Sequence, residues 1–287
     1  MSRTTRWVKK NIGTGLSEVR ISSWKYFDDF INQEMVDCNS YIWRGQRCDD
    51  WELESTLDRL VKKRKPRSPK RFIEAHLKRF QLATRGRRGI NPQVLDKEND
   101  WWALGQHHGL ATPLLDWTAS PFIAAFFAYI KTGSIQTDHR VIYALHRSIV
   151  EDHAGRVAKE QTKKNAERFK ELRASGANLN GLPSLLQREV EPAIQFVQPL
   201  SDENQRLVNQ SGLFTRFTFN KSLRDWIQDH LNPNIGAHVL IKIRIHDKDR
   251  TRCLQNLNRM NINYLSLFPD LYGASMHSNL SSEIPKY

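Results

Sequence analysis

Thr112-Pro113-Leu114-Leu115-Asp116-Trp117-Thr118-Ala119-Ser120-Pro121-Phe122-Ile123-Ala124-Ala125-Phe126-Phe127-Ala128 reads as an extended segment feeding a strongly apolar helix. Ser120 is an N-cap residue and Pro121 suits the first helical position, where its missing N–H costs nothing. Working outward, Tyr41 to Gly45, Arg140 to His146 and Gln195 to Gln198 read as strands, and His238 to Ile245 alternates most cleanly. Between them, the spacing predicts helices over Ser22–Met35, Pro69–Leu82, Asn99–His108, Ser148–Ser175, Asp225–Leu231 and, as the last one, Cys253–Met260. Gln210 to Phe219 reads as an extended pair. Helices interrupting several strands predict an α+β fold with a mixed, mainly antiparallel central sheet.

The chain has 287 residues, 39% of them hydrophobic and 26% charged, enough apolar material for a sizeable core. Phe122 to Ile130, its most apolar stretch, is about half the roughly 18 residues that a membrane helix needs. Met1 to Lys10 is basic without an apolar core, unlike a secretory signal. Cys38, Cys48 and Cys253 are odd in number and scattered, which argues against a disulfide framework and a zinc site. A cytoplasmic protein with no membrane partner and no metal is the expectation.

The net charge is +13, and it is concentrated. From Arg59 to Arg88 there are thirteen Lys and Arg against the single Glu74, a net of +12. A solvated basic face is one account of this. A polyanion partner is the other, because neutralised phosphates release counterions and give salt-sensitive affinity. The expected contacts are Lys62, Lys63, Arg64, Lys65, Arg85, Arg87 and Arg88, with Gly86 and Gly89 loosening the end of the segment. Charge alone does not tell DNA from RNA.

Four constellations are denser than folding requires. In Trp43-Arg44-Gly45-Gln46 an arginine leaves a strand beside a glycine, placed to offer its fork to a phosphate or carboxylate, or to form a structural ion pair. In Gln106-His107-His108-Gly109 the adjacent histidines point about 100° apart, so only one is expected to face a cleft. Asp116-Trp117-Thr118 with Ser120 stands at a strand's end before a helix N-terminus, which suits an anion or ribose; the alternative is local pairing and capping. Arg206 precedes Gln210-Ser211-Gly212-Leu213-Phe214-Thr215, which alone is an ordinary turn. The nucleotide-binding, hydrolase and zinc-protease signatures are missing from the sequence.

Together these stretches resemble the FRG domain family, named for a Phe/Tyr-Arg-Gly signature that appears here as Trp43-Arg44-Gly45. The resemblance continues through Trp51-Glu52-Leu53, Thr56-Leu57 and Arg59. It is closest over Ala103 to Ala128 and extends to Leu267-Phe268-Pro269-Asp270-Leu271 and Gly273. Tyr272 stands where a second acidic residue is common. The resemblance runs from about Ser22 to Ser275 and implies one FRG-type domain over 1–287, with a basic helical segment at 59–90 inserted.

The order of these residues is also similar to ADP-ribosyltransferases, which implies an ADP-ribosyltransferase-like sheet and NAD as the substrate carried. On that resemblance Arg44, Thr118 and Gln210 are the catalytic candidates. Gly45, Gln46, His107, His108, Asp116, Trp117 and Ser120 join Arg44 around NAD, with Trp117 stacked on the nicotinamide. Gln210 stands where a carboxylate base is expected, and Glu203, Glu191 and Asp116 are its possible substitutes. The expected activity is ADP-ribosylation of a nucleic acid, DNA favoured over RNA. Such an activity implies a bacterial toxin or phage-defence effector with an antitoxin or immunity partner. A non-enzymatic nucleic-acid-binding module, an NAD hydrolase and a phosphotransferase stay open beside it.

Overall fold

The computed structural model describes residues 5–35, 37–89, 91–92, 94–131, 137–176, 188–198, 205–217, 222–231 and 238–287. The strands are β1 (Trp7–Gly13), β2 (Leu16–Ile21), β3 (Tyr41–Gln46), β4 (Leu114–Thr118), β5 (His139–His146), β6 (Ile194–Val197), β7 (Gly212–Phe217) and β8 (Leu240–His246). They form one open sheet in the order β1-β2-β8-β5-β3-β4-β7-β6. Among the described residues only β2 and β8 run parallel; the other neighbours are antiparallel. The mixed, mainly antiparallel sheet expected from the sequence is therefore present.

Helices cover both faces. On one face α1 (Phe27–Glu34), α5 (Pro121–Tyr129), α9 (Arg250–Arg259), α10 (Tyr264–Leu267) and α11 (Leu271–Glu283) bury Phe27, Phe30, Phe126 and Leu254 against Trp43, Ile142 and Ile243. On the other, α6 (Arg147–Ala174) and α8 (Leu223–His230) bury Val150, Ala154 and Trp226 against Ile42, Leu115, Trp117 and Leu145. A third cluster joins α2 (Thr56–Arg64), α3 (Pro69–Ala83) and α4 (Glu98–His107) to β4 and β7 through Leu57, Leu77, Trp102, Leu114 and Phe214. The short α7 (Gln205–Asn209) leads into β7. Period-2 alternation explains these faces: Ile241, Ile243 and Ile245 of β8 enter the first cluster, while Lys242 and Arg244 point the other way.

Helix α5 carries the geometry of the centre. Ser120 accepts from the Ile123 N–H and Pro121 follows it, as the sequence suggested. At the other end Arg140 donates to the carbonyls of Ala128 and Lys131, and Arg250 to those of Tyr129 and Ile130. Two cations thus meet the helix's negative end. Between these ends α5 lies against β3 at Gly45. A β-carbon there would stand 1.9 Å from the Ala124 carbonyl oxygen and 2.6 Å from the Ala128 nitrogen.

Several expectations need correction. The N-terminal hairpin β1–β2 was not anticipated, because Lys9 and Lys10 break the alternation; charged side chains are tolerated on an edge strand. Gln210–Phe219 is not an extended pair: the described part is the turn after α7 and the single strand β7, and residues 218 and 219 lie outside the described residues. Cys253–Met260 is not the last helix, since α10 and α11 follow. The sequence of α11 is rich in serine and lacks a clear apolar stripe. The break expected at Pro66 to Pro69 is present: the basic segment holds two helices, parted where Lys65 turns left-handed (φ 46°) before Pro66. Among the described residues, no helix is long and apolar enough to cross a membrane.

Gly45→Ala is expected to lower stability by on the order of 3 kcal/mol, because backbone rather than a flexible side chain blocks the added methyl. Denaturant unfolding of the two proteins measures this, and an unchanged midpoint would refute the tight approach.

Candidate functional site

The sheet nearly parts in the middle. β3 pairs with β5 along its whole length, and β4 does the same with β7, but β3 and β4 share only the Trp43–Thr118 pair. A cleft of about 1010 Å³ lies at this split. Alternation explains why both sheet faces reach it: Trp43 and Gly45 come from one face of β3, Arg44 and Gln46 from the other.

Arg44 spans the gap. Its Nη1 donates to the Asp116 main-chain oxygen at 2.7 Å and lies 3.5 Å from Asp116 Oδ2. A strand carbonyl left without a ladder partner is thus satisfied by a charged donor. The Arg44 side chain is 19% exposed, whereas that of Asp116 is 57% exposed. Burial pulls the Arg44 guanidinium below its ordinary value, and the Asp116 carboxylate opposes that shift. An arginine starts so high that it stays charged. Gln106 Nε2 donates to both carboxylate oxygens of Asp116 at 3.0 Å, and its own oxygen accepts from Thr112. The carboxylate is therefore oriented from behind by α4.

The opposite wall is built around β7. Thr118 Oγ1 donates to the Gln210 carbonyl at 2.7 Å and accepts from the Ser120 N–H at 3.2 Å. Its one donor is committed, which leaves acceptor capacity only. Gln210 Nε2 donates to the Leu267 carbonyl at 3.2 Å. Arg206 lines the cleft, donates from Nε to Asp270 Oδ2 at 2.9 Å, and lies 5.4 and 5.5 Å from the Phe268 and Tyr272 rings. The Gly273 N–H donates to Asp270 Oδ1, and Gly273 itself has backbone 1.9 Å from where a β-carbon would be.

Arg44, Gly45, Gln46, His107, Asp116, Trp117, Thr118 and Gln210 all line the cleft. Three expected roles do not fit the geometry. The Trp117 ring is buried and its indole N–H donates to Thr215 at 2.8 Å, so it does not offer a stacking face. Adjacent to the cleft-lining His107, His108 is exposed and not among the lining residues, as their angular separation requires. Ser120 is also absent from the lining and acts as the cap of α5. Of the substitute bases, Glu191 is exposed and accepts from Gln195 away from the cleft. Glu203 lies outside the described residues.

The basic candidates are elsewhere. Lys62, Lys63 and Arg64 form the exposed last turn of α2, with Lys65 as its C-cap, and Lys62 pairs with Glu54 at 2.5 Å. Arg85 and Arg87 are exposed after α3, and Arg88 is half-buried with its guanidinium 5.3 Å from the Trp101 ring. None of these seven lines the cleft, but Arg59 of the same helix α2 does.

The segment Arg47–Glu54, to which sequence reading gave no chemical role, contributes Arg47, Asp50, Trp51, Glu52 and Glu54 to the cleft. Asp49 anchors it: Arg244 Nη2 lies 2.5 Å from its carboxylate, and Lys242 donates to its carbonyl. Burial pushes the Asp49 carboxyl up, but Thr137, Arg244 and Lys242 together hold it below the ordinary value. The available signal was the polar alternation of β8, whose Lys242 and Arg244 needed partners on that face.

The model of the FRG domain matches residues 39–137. That stretch takes in β3, the Arg47–Glu54 wall, the three helices α2 to α4, β4 and α5, so the FRG resemblance read from the sequence stands. The later blocks at 206–215 and 267–273 fall outside the match. No curated protein and no solved structure matches the chain.

The Asp270 carboxyl is held below its ordinary value by the Gly273 N–H and by Arg206. A depressed folded value stabilises the fold above the unfolded value of about 4 and ceases to do so as pH falls through the folded one. Asp270→Asn should therefore flatten the acid limb of stability below about pH 4. Unfolding midpoints across that range check this, and an unchanged slope would contradict it.

Proposed function

We propose that this FRG domain protein is an NAD-dependent ADP-ribosyltransferase whose acceptor is a nucleic acid, DNA before RNA. The observation that carries the reading is the meeting of Arg44, His107, Asp116, Thr118 and Gln210 on one cleft at the split of the sheet. Their separation in sequence gives no structural reason to collect them there. A module that only binds a polyanion needs an exposed basic face, not a deep arginine beside an oriented carboxylate.

The volume, about 1010 Å³, is at the upper end of small-ligand pockets and suits a dinucleotide. Arg44 supplies a fixed positive charge for the pyrophosphate, and Arg206 and Lys131 extend that charge along the cleft. Thr118 retains acceptor capacity toward a ribose hydroxyl. The bond from ribose C1′ to nicotinamide breaks with its electron pair leaving on the nicotinamide. The acceptor atom then bonds to C1′, and its proton passes to a carboxylate. Gln210 is unable to take that proton, so the role falls to the acidic groups already facing the cleft: Asp50, Glu52, Glu54 or Asp116. Oriented dipoles and charges are what such a cationic transition state requires.

Arg59 connects this chemistry to the basic helices, since α2 carries it at the cleft and Lys62, Lys63 and Arg64 outside. An acceptor strand bound along α2 and α3 would reach the cleft over Arg59.

Purified protein incubated with labelled NAD and separate pools of DNA, RNA and protein tests the reading. Label should pass to nucleic acid and be lost by at least 100-fold in Arg44→Ala, with folding checked by circular dichroism. Full activity in that variant removes the mechanism. Nicotinamide release without labelled acceptor makes the protein an NAD hydrolase, and neither product leaves a binding module.

A further inference from the structure

Trp117 is buried, and a different tryptophan presents its ring at the cleft. Trp51 is 44% exposed, lines the cleft, and carries the Arg47 guanidinium 5.1 Å from its ring. An indole needs a reason to stand in water beside a polar cleft; as a large π-face it offers stacking worth more than its area. Beside it, Gln46 is 7% exposed and also lines the cleft. Gln46 Nε2 donates to the Glu52 carbonyl at 3.3 Å, which ties this side chain to the residue following Trp51. Among the described residues, the buried Gln46 Oε1 has no hydrogen-bond partner. A buried acceptor left unmade is costly, and the side chain that carries it lines the cleft.

We infer that Trp51 and Gln46 form a base subsite. It takes a planar nitrogen heterocycle bearing an NH₂ group, the ring stacked on Trp51 and the NH₂ donating to Gln46 Oε1. This rests on the proposed reading only for the choice of ligand source. NAD carries such a ring at each end, the adenine amine and the nicotinamide carboxamide, and an acceptor nucleic acid carries it on adenine, cytosine and guanine. Arg47 polarises the indole from one side, and the Asp49 anchor keeps the loop in place. The subsite belongs to the wall that the charge of the sequence did not reveal.

Fluorescence titration of the full chain with AMP, nicotinamide mononucleotide, inosine monophosphate, ribose 5-phosphate and a short DNA oligonucleotide tests the subsite without any turnover. AMP or nicotinamide mononucleotide should bind on the order of 10- to 100-fold more weakly to Trp51→Ala, with partial recovery in Trp51→Phe. Inosine monophosphate, which has a carbonyl in place of the amine, should bind wild type about 3- to 10-fold more weakly than AMP. Gln46→Met should erase that difference. AMP, nicotinamide mononucleotide and the oligonucleotide rank the sources of the ring by which of them loses most in Trp51→Ala. Equal binding of ring ligands by Trp51→Ala and wild type overturns the subsite, as does ribose 5-phosphate binding as tightly as AMP. If base binding depends on Trp51 while no NAD is consumed, the transferase reading fails and the subsite stands. If Trp51→Ala consumes NAD with unchanged KM and retains oligonucleotide affinity, the subsite fails and the transferase stands.

Discussion

The approach of β3 to α5 at Gly45 is the contact on which the centre of the molecule depends. Backbone lies where a β-carbon would be, so the strand sits closer to the helix than any other residue permits. Glycine alternates with two polar neighbours: because Gly45 faces α5, Arg44 and Gln46 point to the opposite side. The cap at Ser120 and the arginines at the far end of α5 hold the helix at both termini, which leaves the strand little freedom to shift. A side chain at position 45 would lever β3 away from α5 and carry Arg44 with it.

The second constraint is the broken seam between β3 and β4. A continuous ladder would satisfy the carbonyls of both strands and leave no cleft. Here a single residue pair joins the halves, and the half-buried Arg44 takes over the carbonyl of Asp116. Exchanging a neutral ladder bond for a charged donor keeps the backbone satisfied and places a fixed positive charge at the floor of a cavity. Gln106 then orients the neighbouring carboxylate from α4, so cation and anion are both held before any ligand arrives. The same economy appears across the cleft, where Arg206 is gripped by Asp270 and two aromatic rings while it lines the opening.

Much of this was legible in order along the chain. Ser120-Pro121 announces the start of α5 because capping and a fixed φ are local properties. The alternation of β8 and the apolar run of α5 announce a strand and a buried helix. The 100° step between His107 and His108 already says that only one can face the cleft. Trp117 misled for a different reason: aromatic character is visible in sequence, but the enclosure of its ring by neighbours is not. Asp116 and Thr118 share one face of β4, and Trp117 takes the other, where Thr215 receives its N–H. The segment Arg47–Glu54 has no periodicity to read, and its place comes from Asp49 meeting Arg244 and Lys242 some two hundred positions away.

The sequence by itself determined the strongly patterned elements such as α5 and β8, the mixed sheet, the FRG signature and the concentration of charge in α2 and α3, because these follow from local sterics and composition. It did not determine that the sheet parts between β3 and β4, that Trp51 rather than Trp117 presents a ring, or that Gln46 keeps an unused acceptor. Those depend on strand register, on the depth of the Gly45 contact and on distant charge pairing. Each is a property of neighbours brought together by the fold, and a linear pattern carries no record of which neighbours those are.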